Sequence, residues 1–304
     1  MSDVDDAVRE LYEEFERIRD PLSFFSDYVI PTLVGKKYQH VREAILLMLA
    51  SDTDGFTRGR IHILLDGPPG TGKTDILLWL RNNLGANFVT HHTSEIGLVG
   101  DASGGVVTPG ELAASDGGIL CIDELDKFKK QDLNGLLEAM EEGEYRIRKG
   151  KVDVTFQARV RIVASVNYID KLPKPLLDRF DFVFHLERPT REERIEAVKR
   201  LIDMWAGDEE EHPVDPLILY LDYIKNFQPR VIDKEIIKEY LADYIHRTPL
   251  PIEQVSYRSF ELSILRIANA MAKFERKDLT LEHIKKAISL KEEVYFGGLA
   301  NERG

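Results

Sequence analysis

The run Gly67-Pro68-Pro69-Gly70-Thr71-Gly72-Lys73-Thr74 constrains this chain more than any other stretch. It completes the pattern G-x-x-x-x-G-K-[ST], and its flanks fit: the apolar run Ile61–Leu65 precedes it and a helical pattern over Asp75–Leu84 follows. Glycines at these places let backbone N–H groups turn inward around phosphate oxygens. The start of the helix adds partial positive charge at the same point. Lys73 brings a full charge toward the β- and γ-phosphates of a nucleotide such as ATP, and the Thr74 hydroxyl is a ligand for Mg²⁺. The competing reading is a glycine-rich turn with an ordinary surface lysine. It leaves unexplained why every motif position is filled between a strand and a helix.

The rest of the chain supplies a fold for such a loop. Val4, Val8, Leu11, Phe15 and Ile18 recur at helical spacing, and Asp20-Pro21 reads as the end of that helix. A second helix is expected over Tyr38–Leu49, followed by a turn-rich connection from Asp52 to Gly59. Ile61–Leu65, Ile119–Ile122, Val160–Val166 and Phe182–Leu186 read as buried strands. Continuous apolar runs of this kind fit a parallel sheet covered on both faces. Helical patterns over residues 73–84, 131–141 and 191–206 fit the covering layers. After Pro189 the pattern is helical to the end. The expectation is an α/β P-loop core over residues 28–188, an N-terminal helical segment over 1–27 and an all-helical lid over 189–304.

Charge and cysteine content exclude several classes. Of 304 residues, 53 are acidic and 41 basic, a formal charge of −12, so a histone-like coat for nucleic acid is ruled out. Any contact with DNA must come from a local basic element. The single cysteine, Cys121, allows no intrachain disulfide and no cysteine-based zinc cluster. It lies mid-strand and reads as a small buried apolar residue. No apolar run is long enough to span a membrane, and the acidic start Met-Ser-Asp-Val-Asp-Asp lacks an apolar signal core. A soluble, intracellular chain is expected.

The strand Ile119–Ile122 runs straight into Asp123-Glu124. That places two carboxylates at the C-terminal edge of the sheet, where ligands of open α/β sheets bind. Asp123 is expected to hold Mg²⁺ and Glu124 to orient and deprotonate an attacking water. Alone, the pair would read as a solvated acidic turn; following the phosphate loop, it does not. No other metal is indicated, and His91-His92 reads as a pair near a strand end.

At this point the chain resembles the AAA+ ATPases, and within them the minichromosome maintenance (MCM) helicases. Gly118–Lys127 is similar to that family's Walker B segment, and Leu137-Glu138-Ala139-Met140-Glu141 follows at family spacing. Leu176-Leu177-Asp178-Arg179-Phe180-Asp181 is similar to its arginine-finger motif. Pro31-Thr32-Leu33-Val34-Gly35 and Arg258-Ser259-Phe260-Glu261 add support. The resemblance extends over nearly all of residues 20–290. Departures are the lack of the N-terminal oligonucleotide-binding and zinc domain, Gly72-Lys73-Thr74 for the usual Ala-Lys-Ser, short segments at 51–60 and 100–110, and no winged helix. Glu142-Gly143 looks more like the MoxR-type AAA+ proteins.

The resemblance implies further roles. Asn167 is expected as sensor 1 beside Glu124; the alternative is a turn-starting Asn. Arg179 is expected as an arginine finger that reaches a neighbouring subunit, which implies a ring, expected as a hexamer; the alternative is an intrachain pair with Asp178 or Asp181. Arg258, with Ser256 as candidate N-cap, is expected as sensor 2, also acting in trans; the alternative is an exposed arginine. Glu144–Phe156 alternates like a hairpin, with Lys149-Gly150 as the turn. Arg146, Arg148, Lys149 and Lys151 form its basic cluster, and Lys149 aligns with the family's pore-hairpin lysine that grips DNA phosphates. The alternative is a solvated tip.

The leading expectation is therefore an ATP-hydrolysing ring motor on DNA, cytoplasmic and nucleoid-associated, or nuclear in a eukaryote. Two others stand beside it: a MoxR-like remodeller of protein partners, and a non-motor DNA-binding ring whose oligomer the nucleotide stabilises.

Overall fold

The computed structural model describes residues 3–52, 59–92, 95–101, 106–149, 152–206, 214–248 and 256–299. Three helices lead: α1 (Asp3–Arg17), α2 (Pro21–Ser26) and α3 (Lys36–Ala50). Then come β1 (Ile63–Asp66), α4 (Lys73–Leu84), β2 (Asn87–Thr90), α5 (Glu95–Leu98), β3 (Gly100–Asp101), β4 (Thr108–Pro109), α6 (Glu111–Ala114) and β5 (Ile119–Asp123). A 3-10 turn at Leu125–Lys127 leads to α7 (Lys130–Glu142), the hairpin β6 (Glu144–Lys149) and β7 (Val152–Gln157), and β8 (Arg161–Val166). The short α8 (Lys174–Leu177) precedes β9 (Phe182–His185). The remaining elements are α9 (Arg191–Ala206), α10 (Asp215–Ile224), α11 (Lys234–Arg247), a π turn at Arg258–Leu262, α12 (Ser263–Phe274) and α13 (Leu281–Leu299).

Five strands form one parallel sheet in the order β2-β5-β8-β1-β9. Successive side chains of a strand point to opposite faces, and the buried residues sort accordingly. Ile63, Leu65, Ile119, Cys121 and Val163 join α3, α4 and α12 in one core. Leu64, Leu120, Ile122, Ile162 and Ala164 join α7 in the other. Both faces are covered, which explains the unbroken apolar runs. The four strands expected from the sequence are present. β2 is not among the four apolar runs read as strands, although its end falls directly before His91-His92, the pair read as lying near a strand end: it is an edge strand, only Val89 in it is buried, and its sequence carries no apolar run.

Two local expectations are corrected. Asp20-Pro21 does not end the first helix but opens the next. α1 stops at Arg17, and Asp20 Oδ1 accepts from Ser23 N at 3.1 Å, with Pro21 in the first turn. Proline lacks an N–H and has a preset φ, so it suits a helix start. In addition, α9 does not act as a covering layer. Ile195, Val198, Leu201 and Ile202 stay more than half exposed and Trp205 is 90% exposed.

The first core crosses the expected segment boundaries. Phe25 of α2 meets Tyr220 of α10 at 4.5 Å and Phe274 of α12 at 6.2 Å between ring centroids. Tyr12 of α1 meets Tyr223 at 4.6 Å with the rings tilted by 50°. The leading helices thus pack with the trailing ones, and aromatic burial of this kind dominates local stability. The turn expected from Asp52 to Gly59 lies largely outside the described residues. Among the described residues no helix is long and apolar enough to cross a membrane.

Candidate active site

The phosphate loop is built by contacts that only glycine allows. Gly67 has φ +149°, and a Cβ there would lie 2.1 Å from Leu186 O. Gly72 has φ +78° and caps α4 in the left-handed region. Tyr38 Oη donates to Thr71 O at 2.9 Å, and Thr71 Oγ1 donates to Pro68 O at 3.0 Å, so the loop is tied to α3 and to itself. Pro69 and Gly70 form its exposed tip. Lys73 is buried, and its ammonium donates to Gly67 O at 2.5 Å and Pro68 O at 3.0 Å. Burial lowers its pKa, against the opposing pull of Asp66, Asp123, Asp126 and Glu124.

The paired carboxylates stand beside the loop. Thr74 Oγ1 donates to Asp123 Oδ2 at 3.2 Å, and Ser165 Oγ donates to Asp123 Oδ1. Ser165 Oγ also accepts from Glu124 N at 2.9 Å. Glu124 has φ +55°, a rare conformation for a residue other than glycine and one found where a chain is held for function. Its Oε1 accepts from Lys127 Nζ at 2.5 Å and from Asn167 Nδ2 at 3.4 Å, and its Oε2 lies 2.8 Å from His91 Nδ1. The Lys127 ammonium, more than any other neighbour, holds the Glu124 carboxyl below its ordinary pKa. Lys73, Thr74, Asp123, Glu124 and Asn167 therefore converge at one sheet edge, on strands that are direct or next neighbours.

Two members of this constellation were not expected. Ser165 carries a signal that could have been read: it is the one hydroxyl near the end of an otherwise apolar strand. The sequence places His91 only near a strand end. Parallel pairing of β2 with β5 brings Thr90 beside Asp123, so the next residue reaches Glu124.

A Mg²⁺ ion fits the donor set. Thr74 and Asp123 offer two hard oxygens side by side, and no group of three or more His, Cys, Asp or Glu side chains suited to a metal occurs among the described residues. Mg²⁺ is commonly held by one or two protein oxygens, with water and phosphate completing its shell.

Arg179 and Arg258 lie elsewhere, together, at the C-terminal end of α7. Arg179 Nη2 donates to Glu141 Oε2 at 2.6 Å, so its intrachain partner is neither Asp178 nor Asp181. Asp181 is instead taken by Arg266 at 3.1 Å in a pair that is 1% exposed on both sides. Arg258 is not an exposed arginine in an α-helix. It begins the π turn, Ser256 Oγ accepts from Ser259 N at 3.2 Å, and Arg258 Nη2 donates to Met140 O at 2.8 Å. Burial, then repulsion from Arg266 and Arg179, lowers its pKa to about 10.

The hairpin is present, with apolar pairs Tyr145↔Phe156 and Ile147↔Val154 fixing its register. Lys149 pairs with Val152, so it ends a strand and is not part of the turn as expected. Lys151 lies outside the described residues. Arg146 forms an ion pair with Asp153, and Arg148 lies 3.6 Å from the same carboxylate, so one acid partly offsets both arginines.

The family model for the MCM P-loop domain matches residues 9–204 of this chain. The chain is similar to the minichromosome maintenance protein MCM of Saccharolobus solfataricus, 27% identical over 90% of this chain and 45% of that protein. It is also similar to the DNA replication licensing factor mcm4 of Schizosaccharomyces pombe, 30% identical over 79% of this chain and 31% of that protein. For the DNA replication licensing factor mcm7 of the same yeast the figures are 28%, 81% and 37%. The chain thus spans less than half the length of these relatives.

Proposed function

The chain belongs to the MCM family, and on that premise we propose that it is a Mg²⁺-dependent ATPase that works as a ring motor on DNA. The observation that carries the hydrolytic reading is the convergence of Lys73, Thr74, Asp123, Glu124 and Asn167 at one sheet edge. Backbone N–H groups of residues 67–74 cradle the phosphates, and Lys73 exchanges its carbonyl acceptors for phosphate oxygens. Thr74 and Asp123 would hold Mg²⁺, which would neutralise phosphate charge. Glu124 orients the attacking water and takes its proton, and the Asn167 amide fixes the direction of approach.

The ring reading rests on a separation. Lys73, Thr74, Asp123, Glu124 and Asn167 stand at or just after the C-terminal ends of the strands. Arg258 donates to Met140 O, which also accepts from Arg60 just before the start of β1, and Arg179 donates to Glu141 beside it. The arginine pair is thus anchored toward the other end of the sheet, so the paired arginines serve a second copy's nucleotide better than their own. Arg179 is then the finger and Arg258 the second sensor, a pair presented on one face to the neighbour. The family resemblance suggests six copies. Lys149, Lys151, Arg146 and Arg148 on the hairpin are the proposed contacts to DNA phosphate.

A second reading, remodelling of a protein partner, gains support from Asp153, which partly neutralises the hairpin arginines. ATP hydrolysis measured with and without single-stranded DNA separates the two. The motor reading expects stimulation by DNA. Hydrolysis indifferent to DNA favours the remodeller, and ATP binding without hydrolysis favours a nucleotide-stabilised ring.

A further inference from the structure

The turn Leu125–Lys127 follows Glu124 directly and carries a second carboxylate, Asp126, that neither binds the phosphate loop nor meets Thr74. Asp126 Oδ1 accepts from the backbone N–H of Asn167 at 3.2 Å. Its other oxygen, Oδ2, is buried with no hydrogen-bond partner among the described residues. Lys127, the next residue, donates to Glu124 Oε1 at 2.5 Å, the oxygen that also accepts from Asn167 Nδ2 at 3.4 Å. The contacts close a circuit: Glu124 to the Asn167 amide, the Asn167 backbone to Asp126, and one turn of chain back through Lys127 to Glu124.

The circuit bridges two neighbouring strands at their C-terminal ends, since β5 and β8 pair in parallel. Asp126 Oδ1 is the acceptor of the Asn167 backbone N–H, so the side chain of residue 126 sets where Asn167 leaves its strand. A buried carboxylate oxygen left without a donor is unfavourable. Its retention beside Lys73 and Glu124 fits a site where geometry is kept at the expense of stability.

We infer that Asp126 is a positioning residue for hydrolysis: by holding the Asn167 backbone, it sets the approach of the Asn167 amide to the Glu124 carboxylate. The inference rests on the proposed function, in which those two side chains act on the attacking water. What matters is then the reach of the acceptor, not its charge. Asn at 126 still presents an acceptor at the same distance, whereas Glu keeps the charge but moves the acceptor outward by one methylene.

Steady-state ATP hydrolysis and ATP binding by the full chain test this. Asp126→Glu should lower kcat by about 10²-fold, the usual consequence of a misplaced catalytic group, with ATP affinity unchanged. Asp126→Asn should recover to within several-fold of the parent. Asp126→Glu combined with Asn167→Ala should be no slower than Asn167→Ala alone, because both changes break one contact. Thermal unfolding of each variant identifies any loss due to misfolding, and the Asn variant keeps the test open if the Glu variant does not fold. An Asn variant as slow as the Glu variant, or losses that multiply in the double variant, would overturn the inference. So would a parental kcat in Asp126→Glu beside a slow Asn167→Ala, and in that case the proposed function would stand. A parental rate in Asn167→Ala itself would remove the sensor assignment, and the inference with it.

Discussion

Ser165 Oγ stands between the Asp123 carboxylate and the Glu124 N–H, and it is buried. Removing it leaves a part-buried backbone donor, the Glu124 N–H, unpaired, which costs about 1 kcal/mol. Ser165→Ala should therefore unfold at lower urea concentration and also hydrolyse ATP about tenfold more slowly, since Glu124 loses the support of its turn. A variant that loses stability but keeps the parental kcat would restrict Ser165 to the fold. Glu124 itself allows a sharper test. Glu124→Gln leaves the phosphate loop untouched, so it should bind ATP and trap it unhydrolysed. Turnover at the parental rate would remove Glu124 from the general-base role. His91 and Lys127 engage the two oxygens of the same carboxylate, His91 at Oε2 and Lys127 at Oε1.

At the scale of elements, the hairpin and the α12–α13 turn make contrasting use of charge. On the hairpin, Asp153 sits across from Arg148 and pairs with Arg146. If the tip grips DNA phosphate, Asp153→Asn should free both arginines. Binding of a labelled single strand should tighten, and the slope of log K against log salt should steepen by about 0.7 per added contact. Lys149→Ala with Lys151→Ala should move both quantities the other way. Parental affinity and slope in both variants would make the hairpin an ordinary solvated element and advance the remodelling reading. In the α12–α13 turn, Glu275 meets His283, Lys277 and Lys286 at 3.7, 2.8 and 2.9 Å. Its carboxyl is held far below the ordinary range, first by His283 and then by the two lysines. A depressed acid stabilises the fold above its unfolded pKa of about 4.3, and the contribution is lost as pH falls toward the folded value. Glu275→Gln should thus be less stable than the parent by about 2 kcal/mol near pH 7. The gap should narrow below about pH 4. A gap that stays constant with pH in chemical unfolding would show that shape, not charge, is what Glu275 supplies.

For the whole molecule, the decisive geometry is the anchoring of the arginine pair on Glu141 and Met140 at the end of α7 and not among the residues around Lys73. Arg179→Ala should bind ATP as the parent does yet hydrolyse it far more slowly, since arginine fingers contribute roughly 10³–10⁵ in rate. Mixing it with Lys73→Ala chains should restore part of the activity, because a mixed assembly pairs an intact loop with an intact finger. No rescue despite verified co-assembly would point to Arg179 as a purely intrachain partner of Glu141. The shared core of α1, α2, α10 and α12 adds a second feature at this scale: the leading helices and the trailing ones bury their aromatic side chains against each other.

The amino-acid sequence by itself determined the α/β core, four of its five main strands, the phosphate loop and the two carboxylates after β5. These are local: a periodic apolar run, a glycine pattern and a charged strand end each declare themselves within a few residues. It also placed Asn167 at the end of its strand, though its approach to Glu124 came from a resemblance and not from spacing. Tertiary structure alone decided the rest. β2 is an edge strand whose pairing, not its composition, makes it a strand and delivers His91 to Glu124. Arg179 chose Glu141 over two closer aspartates in sequence because α7 ends beside α8 while Asp181 is buried against Arg266. The hairpin register moved Lys149 out of the turn because Ile147 packs opposite Val154. For His91 and Arg179 the partner is distant in sequence, and a chain meets such partners only after tertiary packing has brought them together; in the hairpin the partners are near, but only packing across the two strands selects one register over the next.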